Sequence, residues 1–151
     1  MKAINEIENF KYRIEHGKVN LYDTIHASAT MMREDKTFGF SFIDYDEDLY
    51  VFLRNIASEK ERITNTNDLY PTKNGQDCIH CSAIPWVNFS GHKEPLSGEL
   101  ESVPRLAFGK ATEIDNKLIM NVAISANHAL VDGYHVGLFS EKFQKYLNQY
   151  R

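Results

Sequence analysis

The chain has 151 residues, 42% of them hydrophobic and 25% charged, with a formal net charge of −4. That composition fits one ordinary globular domain, or part of one, with enough apolar side chains for a core. It offers no basic excess for a nucleic-acid surface, and no run approaches the ~20 apolar residues of a membrane span.

The opening MKAINEIENFKYR has no apolar stretch of the kind that marks a secretory signal. The only cysteines are Cys78 and Cys81, so the expectation is a cytoplasmic protein with two reduced thiols. Residues 2–10 space Ala3, Ile4, Ile7 and Phe10 on one face of a helix. RIEHGKVNLYD reads as a hairpin turning at His16-Gly17. TIHASATMM alternates Ile25, Ala27, Ala29 and Met31 as a strand does, and FGFSFI sets Phe38, Phe40 and Phe42 on one side of the next. The period then changes. Leu49, Phe52, Leu53 and Ile56 recur at helical spacing, with Asp46 or Asp48 available as the cap.

Residues 65–77 are polar and read as loop. Strands are expected in CIHCSAIPWVNF, RLAFGKATEI and KLIMNVAISANH, with a Gly/Pro/Ser-rich loop, SGHKEPLSGELESVP, between the first two. Asp115-Asn116 is a tight-turn signal between the last two. Residues 134–150 form a closing amphipathic helix with Val136, Phe139, Phe143 and Leu147 in one stripe. Strands mixed with helices in this way predict an α/β (α+β) two-layer sandwich: a single domain over 1–151, with a mixed sheet flanked by helices.

The segment that carries chemistry runs from Asn127 to Val136. A strand ends, and His128-x-x-x-Asp132-Gly133 turns the chain into the last helix. Histidine suits a general base near neutral pH, since its unperturbed pKa lies close to the working range. A buried aspartate four residues on would fix the turn, and Gly133 would let backbone pass close by. His135, two residues past Gly133, reads as a plain helix residue. A second candidate chemistry is a metal site built from Cys78, His80 and Cys81, perhaps with His92. Its spacing is poor, because a strand turns Cys78 and His80 to one side and Cys81 to the other.

The HxxxDG turn resembles that of the acyl-CoA-dependent acyltransferases, and the following Gly-Tyr-His-Val is similar to the chloramphenicol acetyltransferase branch. Ser82-Ala-Ile-Pro-Trp86-Val-Asn-Phe resembles a second family segment, whose serine bonds the oxyanion of the tetrahedral intermediate. The resemblance covers nearly the whole chain. It implies a CoA-dependent acyltransferase fold and acetyl transfer from acetyl-CoA to the hydroxyl of a small molecule, an antibiotic-resistance activity in the family. It implies a homotrimer with active sites between subunits, no bound metal, and neither nucleic-acid nor membrane partners. His128 would be the base, Ser82 the oxyanion donor and Asp132 the orienting carboxylate. Ser82, Trp86 and Lys110 would meet the coenzyme, and Phe38 and Tyr70 would line the acceptor pocket.

The resemblance also implies that roughly the first third of the family's length has no counterpart here. That third includes an arginine that would pair with Asp132. Ile4, Ile7 and Phe10 are then expected to remain as an uncovered apolar face that drives association. Asn127 stands where the family has a further histidine, Ala107 replaces a threonine, and Glu101 and Arg105 occupy apolar pocket positions. These departures argue against chloramphenicol as the acceptor and leave three alternatives: another hydroxyl, an amine, or no acceptor. The competing expectation is a truncated, non-catalytic member that keeps assembly or CoA binding.

Overall fold

The computed structural model describes residues 1–94 and 101–149. Five strands form the main sheet. They are β3 (His26–Met32), β4 (Phe38–Phe40), β5 (Cys78–Ala83), β6 (Arg105–Phe108) and β9 (Val122–Ser125), in the order β4-β3-β5-β6-β9. The joins β3–β5 and β5–β6 are parallel, and the two outer joins are antiparallel. Parallel neighbours need a long crossover. Between β3 and β5 it contains α2 (Leu49–Asn65), with β4 ahead of it. Two hairpins stand apart from this sheet: β1 (Tyr12–Glu15) with β2 (Lys18–Leu21), and β7 (Thr112–Ile114) with β8 (Lys117–Ile119). Their turns hold His16-Gly17 and Asp115-Asn116 at positive φ, as two-residue hairpin turns require.

All helices lie on one face of the main sheet. Ile25, Ile79 and Leu106 point to that face and are buried with Ile4, Ile7, Phe10 and Phe139. The closing helix α3 (Gly133–Gln149) supplies Phe139, whose ring meets that of Phe10 at 5.6 Å. Toward the β4 edge, Ile63 of α2 is buried and Arg62 Nη2 donates to the Phe40 carbonyl at 2.8 Å. Asp48 caps α2 by accepting the Tyr50 and Val51 amides. The two-layer mixed α/β architecture is thus as expected.

Four local expectations need correction. Residues 2–10 are not one helix but α1 (Lys2–Asn5) and a 3-10 turn (Glu8–Lys11). The chain breaks where Ile7 turns to extended backbone, and beside the break the Asn5 side chain bonds the main chain of Ile25, accepting its N–H at 2.7 Å and donating to its carbonyl at 2.9 Å. Nor is the N-terminal apolar face uncovered: Ile4, Ile7 and Phe10 lie in the core against α3 and the sheet, so they cannot drive association. The strand expected over residues 78–89 ends at Ala83. Pro85 has no amide to donate, and Val87 turns back to the Ile84 carbonyl.

The strands expected over RLAFGKATEI and KLIMNVAISANH are each split in two. The Gly109 amide donates to the Asn121 carbonyl at 2.8 Å, and the Asn121 side chain bonds the Phe89 carbonyl. A β-carbon at Gly109 would lie 3.1 Å from the Phe89 ring and 3.3 Å from the Asn121 carbonyl oxygen, so the two chains cross closely there. Of the Gly/Pro/Ser-rich loop, residues 95–100 fall outside the described residues.

Candidate active site

On the face away from the helices, the sheet register aligns Ser28 of β3 with His80 of β5, and His80 with Arg105 of β6. Period-two alternation turns Thr30 and Ser82 to the same side. These residues, with Phe40, Tyr70, Asn74, His92 and Glu94, line a cleft of about 570 Å³. Tyr70 stacks on Phe40 at 5.4 Å between ring centroids, and Phe38 meets Phe40 edge-on at 5.5 Å. Of the two expected pocket aromatics, Tyr70 reaches the cleft, whereas Phe38 supports it through Phe40. The Ser82 hydroxyl has no hydrogen-bond partner among the described residues.

His128 sits on a tight turn after β9. The Leu130 and Val131 amides donate to the Asn127 carbonyl, and the Asn127 side chain accepts the Ala129 amide at 3.0 Å. The same side chain donates to the Glu101 carbonyl, and Asn9 donates to that of Leu130 at 2.8 Å. Leu130 and Val131 are buried. The turn is therefore pinned from below while His128 itself is exposed, with no hydrogen-bond partner among the described residues. Asn127, where the family has a histidine, acts here as a turn-forming side chain.

Asp132 is not the buried residue expected from the spacing. Its side chain is 53% exposed and caps α3, accepting the Tyr134 and His135 amides. Those hydrogen bonds hold its carboxyl below the ordinary range. His135 Nδ1 lies 2.7 Å from Asp132 Oδ1. Asp132 therefore has a partner within its own turn, and His135 is more than a plain helix residue. Nor does Gly133 permit a close approach, since a β-carbon there would meet nothing within 4 Å.

Within one protomer Ser82 and His128 do not meet. Ser82 is opposite Ala107, and Ala107 opposite Ala123, from which β9 runs on toward His128. Two strand spacings across and about five residues along put the pair on the order of 15–20 Å apart. Trp86 and Lys110 are exposed neighbours at the Ser82 end, tied by the Lys110 amide donating to the Val87 carbonyl at 2.9 Å.

A metal site at the cysteines finds no geometry. Cys78 is buried, with Sγ donating to the Gly75 carbonyl. Burial pushes its thiol up to about 12 and that of Cys81 to about 11. No group of three or more His, Cys, Asp or Glu among the described residues is arranged to hold a metal.

The sequence pointed to His80 only as a candidate metal ligand and to Arg105 only as a departure from a family pattern, and it did not single out Glu94. The available signal was the alternation of polar residues on β3 and β5: Ser28 and Thr30, His80 and Ser82. His80 is exposed on β5, and partial desolvation by the cleft together with the nearby Arg105 guanidinium lowers its pKa.

Comparison with solved structures first defines the class. The fold matches a chloramphenicol acetyltransferase at a TM-score of 0.87 and 29% identity, covering 97% of this chain and 72% of that one. It also matches the dihydrolipoamide acetyltransferase of Azotobacter vinelandii at a TM-score of 0.65 and 15% identity, over 93% of this chain and 61% of that one, a likeness of fold alone. Both belong to the two-layer architecture described above.

The chain belongs to the chloramphenicol acetyltransferase family, whose model matches residues 1–144. Among named relatives, the chloramphenicol acetyltransferase of Clostridium perfringens is 29% identical over 98% of this chain and 69% of its own length. That of Bacillus pumilus is 27% identical over 93% of this chain and 65% of its own length. The chain thus spans about two thirds of the relatives it matches.

Proposed function

We propose that the protein is a cytoplasmic O-acetyltransferase that moves the acetyl group of acetyl-CoA directly to a hydroxyl of a small polar acceptor. The reading rests on one observation above the others: the family's two chemical segments are both present, with His128 displayed on a pinned turn and the Ser82 hydroxyl uncommitted on the cleft wall. His128 accepts the proton of the acceptor hydroxyl as its oxygen attacks the thioester carbonyl. Ser82 donates to the oxyanion that develops, where such a donor counts most. Collapse expels the CoA thiolate, which takes the proton back from the imidazolium. Trp86 and Lys110, beside Ser82, flank the coenzyme. Asp132 acts through the turn, as the cap of α3.

Reacting groups must lie within about 3–3.5 Å. The separation of His128 from Ser82 therefore supports a site shared between subunits, with His128 from one and the cleft from its neighbour. A homotrimer is the assembly proposed.

The test is a thiol-release assay with acetyl-CoA and a panel of hydroxyl acceptors. His128→Ala is expected to abolish transfer, since general base catalysis contributes about 10²–10⁴-fold. Ser82→Ala is expected to cost about 10²–10³-fold. Calorimetry with CoA reports binding separately. Heat of binding without turnover on any acceptor would make the protein a non-catalytic CoA binder. An active protein that keeps most of its rate as His128→Ala would have another base.

A further inference from the structure

The cleft wall carries two charged side chains, Glu94 and Arg105. Arg105 Nη2 is in close contact with Glu101, while its Nη1 lies 3.7 Å from Glu94 Oε2. The other neighbour of Glu94 is His92, with Nε2 3.4 Å from Oε1. Both contacts of Glu94 exceed the 2.7–2.9 Å of a strong charge-assisted hydrogen bond. One guanidinium thus faces two carboxylates. Lys93, in the adjoining recess, is exposed and makes no ion pair among the described residues. The Glu94 side chain is 24% exposed and lines both the cleft and this recess.

We infer that the cleft selects a hydroxylated amine, a cation built like an amino sugar, with Glu94 receiving its ammonium group. The inference rests on the reading of this cleft as the acceptor site and names the substrate class. Each part of such a ligand has a counterpart. The Phe40–Tyr70 stack is a flat apolar wall for the C–H face of a ring. Thr30, Asn74 and Ser82 offer hydrogen bonds to its hydroxyls. An ammonium at Glu94 restores the hydrogen bonds that the carboxylate loses when water leaves the cleft, which a neutral aromatic cannot do. Glu94 is then a specificity-determining residue and takes no part in the chemical step.

The experiment compares three probes with one ring: glucosamine, glucose and N-acetylglucosamine. Calorimetry on the full chain is expected to show glucosamine binding at least tenfold tighter than the two neutral sugars. The advantage should shrink as salt is raised from 50 to 500 mM and vanish in Glu94→Gln. Equal affinity for all three probes, or binding of none at tens of millimolar, overturns the proposal. So does a Glu94→Gln protein that keeps the preference. Circular dichroism verifies that this near-isosteric variant is folded. Were it not, the salt dependence of the wild-type preference decides, and a salt-independent preference overturns the proposal. Thiol release is measured in parallel. A glucosamine preference without acetyl transfer sinks the transferase reading and leaves the Glu94 assignment standing. Acetyl transfer without any preference among the sugars does the reverse.

Discussion

His26 accepts the Tyr45 backbone amide at Nδ1, 2.9 Å away, so that nitrogen must be unprotonated. Protonation would set an N–H against an N–H. Burial lowers the pKa of this ring, and Lys73 adds to the effect; Asp44 and Asp77 oppose it without reversing it. The sign follows from linkage. Below the ordinary histidine pKa of about 6.5 the unfolded chain binds a proton that the folded chain refuses. The His26 contribution is complete above that pH and is lost as the pH falls through the window down to the folded pKa. We therefore expect the urea midpoint to fall between pH 7 and pH 5.5, with a shallower fall in His26→Gln. A wild-type midpoint unchanged over that range would refute this. Gly133 gives a second residue-scale test. It opens α3 with free space around it. Gly133→Ala should therefore raise stability by about 0.4–1 kcal/mol in thermal or chemical denaturation, where a glycine needed for close approach would lower it.

Arg13 shows how one side chain ties elements together. It is fully buried on β1, and its guanidinium donates to the carbonyls of Phe10, Tyr12, Gln76 and Cys78. It thus joins the 3-10 turn, the first hairpin and the start of β5. Arg13→Met would leave several buried carbonyls without donors, at about 1–3 kcal/mol each. A loss of at least ~3 kcal/mol is expected from the denaturation midpoint. Arg13→Lys should recover little, because an ammonium cannot reproduce the planar fork. A fully stable methionine variant would show that water replaces the guanidinium. Nothing in RIEH distinguishes this arginine from a surface charge, since two of its four acceptors, the Gln76 and Cys78 carbonyls, are main-chain atoms 63 and 65 residues away. By contrast, the hairpin at His16-Gly17, the Asp48-capped α2 and the apolar stripe of α3 were legible, because local turn chemistry and periodicity specify them. The split of the N-terminal helix was hidden for a like reason: the Asn5–Ile25 bonds that anchor the chain beside it are long-range. His128 and Ser82 could be picked out by motif. The cleft could not, because it exists only once the β3–β5–β6 register aligns Ser28, His80 and Arg105.

At the scale of the whole molecule, the helices cover one face of the sheet, while the cleft occupies the other. The two proposed chemical groups lie near opposite ends of that sheet. If each site is completed by a neighbouring subunit, two variants that fail for different reasons must repair one another. In a cyclic assembly every interface joins the His128 end of one copy to the Ser82 end of the next. Co-expressing His128→Ala with Ser82→Ala in equal amounts lets about one interface in four pair an intact histidine with an intact serine, by random assortment of a cyclic oligomer. The mixed protein should then recover about a quarter of the wild-type rate. The better of the two variants alone should stay near or below ~1%, from the cost of losing an oxyanion donor. Light scattering on the same sample should give an oligomer, with three copies the expected number. Activity equal to the mean of the two separate variants would show that His128 and Ser82 do not combine across an interface. The site would then need a different partner for Ser82 within one subunit.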